Sequence, residues 1–237
     1  MATKAIAGEF PPAPPITYRR VYVWELPVRL FHWLNALCVV VLCATGFLIG
    51  HPTALAFSNE AYQQYWFGTV RFVHFSTGFV IFFNFLFRIY WGFVGNQYSR
   101  WNTFIPFTKA QWRAMAEVLT VDILQTRVRR AVPIGKNALA GFSYFFVFLA
   151  FLFQATTGFA LYSSMSRSWL PRMFAWVIPL MGGDAVVRKW HHAVMWVFVL
   201  FVLVHLYLVF YHDCVEGRGT ASSMFGGWTF EREKENK

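Results

Sequence analysis

Acidic side chains are scarce in this chain. Its 237 residues hold only 11 Asp and Glu, and all charged residues together make up 14%. A soluble domain ordinarily carries about 25%. The long apolar runs contain almost no carboxylates, which argues against a proton or metal transporter, because such proteins place Asp or Glu inside their spans. Cysteine is equally sparse. Two of the three, Cys38 and Cys43, lie within one apolar run and read as small buried hydrophobes, while Cys214 reads as a reduced cytoplasmic thiol. No C-x-x-C-H is present, so covalent attachment of a c-type haem is excluded, and no cysteine pair suits a nickel–iron centre. The first twenty residues lack an apolar core of the kind a cleavable leader needs, and "PPAPP" at Pro11–Pro15 reads as a stiff tail.

What the chain has instead is grease: 57% of its residues are hydrophobic. Four runs reach the ~20 residues that cross a bilayer, at about 30–50, 72–94, 139–162 and 190–211. The expected fold is an all-α membrane protein, a bundle of four transmembrane helices. Its expected organisation is a tail over 1–21, the bundle over 22–212 and a second tail over 213–237. The net charge of +10 is a topology signal rather than a nucleic-acid footprint. Sixteen of the 21 Lys and Arg fall in the N-terminal segment, the loop between spans two and three, and the C-terminal segment; five fall in the other two loops and their borders. The positive-inside rule therefore puts both termini in the cytoplasm of a bacterial inner membrane. The middle loop carries Trp112, Met115, Leu119 and Ile123 at helical spacing after Thr108, which predicts an interfacial amphipathic helix.

Ionisable groups inside spans are rare and functional. Four of the seven histidines lie within or at the rim of the spans: His32, His74, His191 and His205. At ~100° and ~1.5 Å per residue, His191 and His205 lie within ~40° of one face and ~21 Å apart. Span one begins at the cytoplasmic side with His32, and span two begins at the periplasmic side with His74. Matching heights pairs His32 with His205 and His74 with His191. Opposed imidazoles at two depths are what two bis-histidine haems b stacked across a bundle require, and iron rather than water then satisfies the buried rings. His51, His192 and His212 are left as rim or loop residues.

"TGF" occurs three times, around Gly46, Gly78 and Gly158. Gly46 shares the face of His32 and Gly78 that of His74, so these small residues make room for the periplasmic macrocycle or for close helix packing. Arg88, 14 residues after His74, shares its face at the cytoplasmic end. It is placed either to pair with a propionate of the cytoplasmic haem or to snorkel.

These stretches carry a resemblance. "VWELPVRLFHW" (Val23–Trp33), "ATGFLIG" (Ala44–Gly50), "RFVHFSTG" (Arg71–Gly78), "RIYWGFVGNQYSR" (Arg88–Arg100), "TGFALY" (Thr157–Tyr162) and "WHHAVMW" (Trp190–Trp196) resemble the b-type cytochrome subunit of membrane-bound nickel–iron hydrogenases. The wider superfamily includes the formate dehydrogenase gamma subunit, the nearest alternative. The resemblance implies haem ligation by His32, His74, His191 and His205. It further implies anchoring of the hydrogenase small (iron–sulfur) and large subunits on the periplasmic side, with electrons passing through the chain to membrane quinone. On that reading Trp169, Arg172 and Trp176 belong to an aromatic loop that meets the partner or the lipid interface, and Asn96, Tyr211, His212 and Asp213 are candidates to line the quinone site.

Overall fold

The computed structural model describes residues 17–52, 65–101, 109, 113, 138–216 and 219–232. In chain order its elements are β1 (Tyr18–Tyr22), α1 (Leu26–Gly50), α2 (Trp66–Val94), α3 (Ala138–Ser163), α4 (Trp169–Arg172), α5 (Val177–Leu180), α6 (Asp184–Glu216), α7 (Thr220–Gly226) and β2 (Trp228–Arg232). Among the described residues, α1, α2, α3 and α6 are long and apolar enough to cross a membrane. The helix expected from Thr108 and the Pro11–Pro15 run lie outside the described residues.

The four long helices are hydrophobic around most of their circumference, so packing covers only part of each. Leu30, Leu37, Val40, Leu200 and Leu203 stay exposed on the outside of the bundle, where lipid tails solvate them. A helix satisfies its own backbone N–H and C=O groups, which is what permits such a surface in hydrocarbon. The interior is aromatic. Phe85 of α2 stacks on Phe151 of α3 with ring centres 4.2 Å apart, and Phe159 sits against Phe79, Phe82 and Phe174. Ala160 of α3 and Val187 of α6 are fully buried.

The helices overrun the apolar cores that the sequence marks. Pro27 in the first turn of α1 has no N–H to lose there, so the helix starts at Leu26 rather than near Leu30. The Glu25 carboxylate accepts from Trp91 Nε1 (3.0 Å) and the Asn96 backbone N–H (2.9 Å), tying this start to the end of α2. At the far end, α6 begins at Asp184, which pairs with Arg188 one turn on at 2.6 Å. Between α3 and α6, Pro171 and Pro179 confine α4 and α5 to four residues each, and Gly182 (φ 91°) and Gly183 (φ 114°) turn the chain into α6.

The segments read from sequence as tails are structured in part. β1 and β2 pair antiparallel, Tyr18 opposite Arg232 and Tyr22 opposite Trp228. Tyr22 and Trp228 pack their rings at 5.0 Å, and the Arg20 guanidinium lies 4.2 Å over the Trp228 ring. α7 folds back onto α1, where Trp33 Nε1 donates to Met224 O (3.0 Å), Arg29 donates to Phe225 O, and the rings of Trp33 and Phe225 meet at 4.5 Å. Both ends of the described chain therefore close one end of the bundle, called the terminal end below.

Candidate functional site

The bundle brings the four histidines together as two pairs. His32 of α1 and His205 of α6 face each other near the terminal end, with ring centres 6.3 Å apart. His74 of α2 and His191 of α6 face each other near the far end, at 6.5 Å. The 14 residues between His191 and His205 set the two pairs about 21 Å apart along α6.

Those separations suit a metal held between two imidazoles in line. Two metal–nitrogen bonds of about 2.0–2.1 Å, with ~1.1 Å from each nitrogen to its ring centre, give roughly 6.3 Å. No third ligand is required for that arrangement. Among the described residues no cluster of three or more His, Cys, Asp or Glu forms, so the imidazoles come only in pairs.

The far pair is oriented by two threonines. Thr45 Oγ1 lies 2.8 Å from His74 Nδ1, and Thr157 Oγ1 lies 2.8 Å from His191 Nδ1. Each hydroxyl proton is already engaged, because Thr45 donates to Val41 O (2.6 Å) and Thr157 to Phe153 O (2.7 Å). Each Oγ1 therefore accepts the Nδ1 proton of its histidine. That fixes the tautomer with the Nε2 lone pair free, the form in which imidazole ligates a metal. Gln154 Nε2 donates to the His191 backbone carbonyl (3.0 Å) and anchors α3 to α6 beside the ligand.

The glycines of the repeated "TGF" divide their work. A Cβ on Gly46 would stand 3.4 Å from His74 Cε1, and one on Gly158 would stand 3.1 Å from His191 Cε1. Both glycines thus accommodate the imidazoles themselves, a closer task than the clearance for a macrocycle expected of Gly46. Gly78 has nothing within 4 Å of its Cβ position and faces open space. All three line a cavity of about 870 Å³ that opens beside the far pair. This is at the roomy end of the roughly 300–1,000 Å³ typical of ligand pockets. The cavity walls are apolar, including Phe75, Phe79 and Phe151, and Arg71, Arg188 and Lys189 stand at its rim. An apolar slot with cations at its mouth matches the chemistry of haem: a greasy macrocycle with two carboxylates on one edge.

The terminal pair is supported differently. His205 stacks on Phe201 with ring centres 5.6 Å apart and planes 17° apart. His32 packs edge-on against Trp33 at 5.2 Å, and its Nδ1 is buried with no hydrogen-bond partner among the described residues. Asn84 of α2 donates to Phe31 O (3.1 Å) and Asn35 Oδ1 (2.9 Å), clamping α2 to the turn of α1 that carries His32. Arg88 reaches toward the loop after α2, where its guanidinium donates to Ser99 O (3.1 Å) between the rings of Phe31 and Trp101.

The remaining sequence candidates separate. Asn96 is occupied by its own loop: its amide donates to Val23 O, and its Oδ1 accepts from Tyr98 N and Ser99 Oγ. Asp213 accepts from the Thr220 backbone N–H at 2.6 Å, closing the turn into α7. Tyr211 is exposed and stacks on Tyr207 at 5.9 Å, and the His212 side chain lies outside the described residues. Trp169 and Trp176 are exposed on the far-end loop, where Arg172 Nε donates to Ser166 O. His51 and His192 meet at the cavity rim with ring centres 5.4 Å apart, a contact that sequence reasoning left unassigned. Thr45 and Thr157 were missed too. Their signal in the sequence is the repeated Thr-Gly pair.

A family model described as prokaryotic cytochrome b561 matches residues 23–227. The chain is 42% identical over 215 residues to a protein of Cupriavidus necator named "Probable Ni/Fe-hydrogenase B-type cytochrome subunit", covering 89% of this chain and 87% of that one. It is 41% identical over 212 residues to the same-named protein of Azotobacter chroococcum (88% of each). It is 36% identical over 212 residues to the "Probable Ni/Fe-hydrogenase 1 B-type cytochrome subunit" of Escherichia coli K12, covering 87% of this chain and 89% of that one.

Proposed function

Because the chain belongs to the prokaryotic cytochrome b561 family, we propose that it is the membrane subunit of a nickel–iron hydrogenase, holding two haems b and passing electrons to quinone. The observation that carries this reading is the pairing of opposed imidazoles at two depths, 6.3 and 6.5 Å between ring centres. A purely structural anchor has no use for such pairs.

Bound haem supplies a one-electron ferric–ferrous couple. The residues of this chain do the rest. His74 and His191 grip the group at the far end, with Thr45 and Thr157 holding their rings in ligating form. His32 and His205 grip the second at the terminal end. Arg71 and Lys189, which line the far cavity, would be available to pair with haem propionates, and Arg88 is the candidate cation near the terminal site. The apolar bundle would keep water and protons from the space between the two pairs, so that electrons rather than ions cross the bilayer.

Direction follows from topology. The basic bias of the termini and the middle loop supports a terminal end in the cytoplasm and a far end in the periplasm. The exposed Trp169 and Trp176 then belong to the periplasmic surface, beside the far pair, where the iron–sulfur small subunit docks and hands over electrons. The large subunit follows through it. Quinone is reduced near the His32/His205 site.

The test is haem stoichiometry combined with two activities. The purified complex should carry two haems b per chain. His205→Ala should carry one and lose hydrogen-driven quinone reduction while retaining hydrogen oxidation with an artificial dye. Two haems in that variant, or one in the parent protein, would overturn the assignment.

A further inference from the structure

The two histidine pairs differ in what stands behind the rings. At the far end both Nδ1–H groups donate to threonine hydroxyls, at 2.8 Å each. At the terminal end His32 Nδ1 is buried without a partner among the described residues, and the opposing His205 ring rests on the hydrocarbon face of Phe201. We infer that Thr45 and Thr157 are positioning residues that make the His74/His191 haem the lower-potential station of the two. This rests on the two-haem reading above and deepens it.

The physical argument concerns electron donation by the ligand. An imidazole whose Nδ1 proton is drawn toward an acceptor becomes a more basic donor through Nε2. More electron density at iron stabilises the ferric state over the ferrous one and lowers the potential, since hydrogen bonding around the axial ligand is one of the protein's levers on a haem. The far site has two such bonds. Each is set in a buried helix turn, because Thr45 and Thr157 are locked by their own bonds to Val41 O and Phe153 O. Thr157 is 1% exposed, so water does not compete for its hydroxyl.

One influence opposes this. Arg71, Arg188 and Lys189 stand at the rim of the far cavity and favour the ferrous state. Their effect is reduced, since all three are exposed to screening and Arg188 is paired with Asp184 at 2.6 Å. The threonine bonds act on the ligands directly and in a dry setting. The resulting order makes transfer of one electron from the far station to the terminal one downhill: the far iron returns to ferric, the terminal iron becomes ferrous, and no proton leaves Nδ1.

A redox titration of the purified complex followed by haem absorbance tests this. The parent protein should titrate as two one-electron waves. Thr45→Val and Thr157→Val, which keep side-chain shape and delete the hydroxyl, should each move the lower wave to more positive potential and leave the upper one in place. Thr45→Ser and Thr157→Ser should restore it. A second arm needs no threonine variant. His205→Ala, which keeps only the far haem, should retain the lower wave. Movement of the upper wave in the valine variants, movement of neither, or survival of the upper wave in His205→Ala would each overturn the ordering. The two-haem reading fails separately, through haem content, before any potential is read.

Discussion

His192 rests its ring directly on Gly50: a Cβ at Gly50 would stand 2.8 Å from His192 Cε1 and 3.0 Å from Nδ1. The contact belongs to a ring of aromatics at the far end, where His192 meets His51 at 5.4 Å and Trp196 at 6.4 Å. Gly50 is therefore a close-packed position.

The two glycines still separate in their effects. Gly46→Leu drives atoms into the ring of His74 and against Met195 Sδ, which lies 3.5 Å from the Cβ position. Gly50→Leu displaces His192, which belongs to neither of the two facing histidine pairs. Gly46→Leu should lose the far haem and leave one per chain, while Gly50→Leu keeps two. Haem-to-protein ratios on purified samples decide it, and equal ratios would remove the glycine argument.

Gly158 is the tighter case. Its Cβ position lies 3.1 Å from His191 Cε1, and the Nδ1 of that ring is tied to the neighbouring Thr157 at 2.8 Å. Alanine ordinarily gains about 1 kcal/mol over glycine in a helix. Here the added methyl presses on a ring whose Nδ1 is held by Thr157, so Gly158→Ala should lower the occupancy of the far haem. Gly46→Ala, at 3.4 Å, should leave it nearly full. Pyridine haemochrome assays on the two variants, prepared side by side, should show that difference; full occupancy in Gly158→Ala would contradict it.

Much of this was legible beforehand, and the reason is periodic geometry. Fourteen residues between His191 and His205 fix both a shared face and a separation. Apolar runs of bilayer length fix alternating directions, and together they fixed which histidines could meet. The threonines escaped because a hydroxyl inside a span reads as a minor polarity, and only the folded bundle brings Thr45 of α1 against His74 of α2. The β1–β2 ladder escaped for another reason. Two five-residue strands some 200 positions apart carry no turn between them, and only the return of α7 along α1 brings them together.

Asn84 offers a prediction about stability rather than cofactor. It is 9% exposed in the middle of α2 and spends its amide on Phe31 O and Asn35 Oδ1. Interhelical hydrogen bonds in membranes contribute about 0.6 kcal/mol on average and up to ~1.7. Asn84→Leu also strands the Asn35 carbonyl oxygen and loosens the turn bearing His32. A loss of about 1–2 kcal/mol is expected. In thermal scans of the detergent-solubilised complex, the terminal haem should be released at lower temperature than in the parent while the far haem is released as before. Simultaneous release at an unchanged temperature would show that the clamp contributes nothing.

Gly227 is where the termini are joined to the bundle. Its φ is 84°, a left-handed conformation, and its carbonyl accepts from both Val23 N (2.9 Å) and Trp24 N (3.1 Å). A Cβ there would stand 2.6 Å from Trp24 O and 2.6 Å from Tyr22 Cε2. Left-handed strain alone costs about 1–3 kcal/mol for a residue with a side chain, and the backbone contact adds to it. Gly227→Ala should detach β2 from β1 and free α7 from Trp33, uncovering the terminal end near His32. The strand amides of Arg20 and Tyr22 should then exchange hydrogen faster, while those of α2 around His74 are unchanged. Because the far pair is about 21 Å away along α6, its haem should survive this substitution intact. Loss of the far haem in Gly227→Ala would mean that the termini hold the whole bundle rather than one end of it.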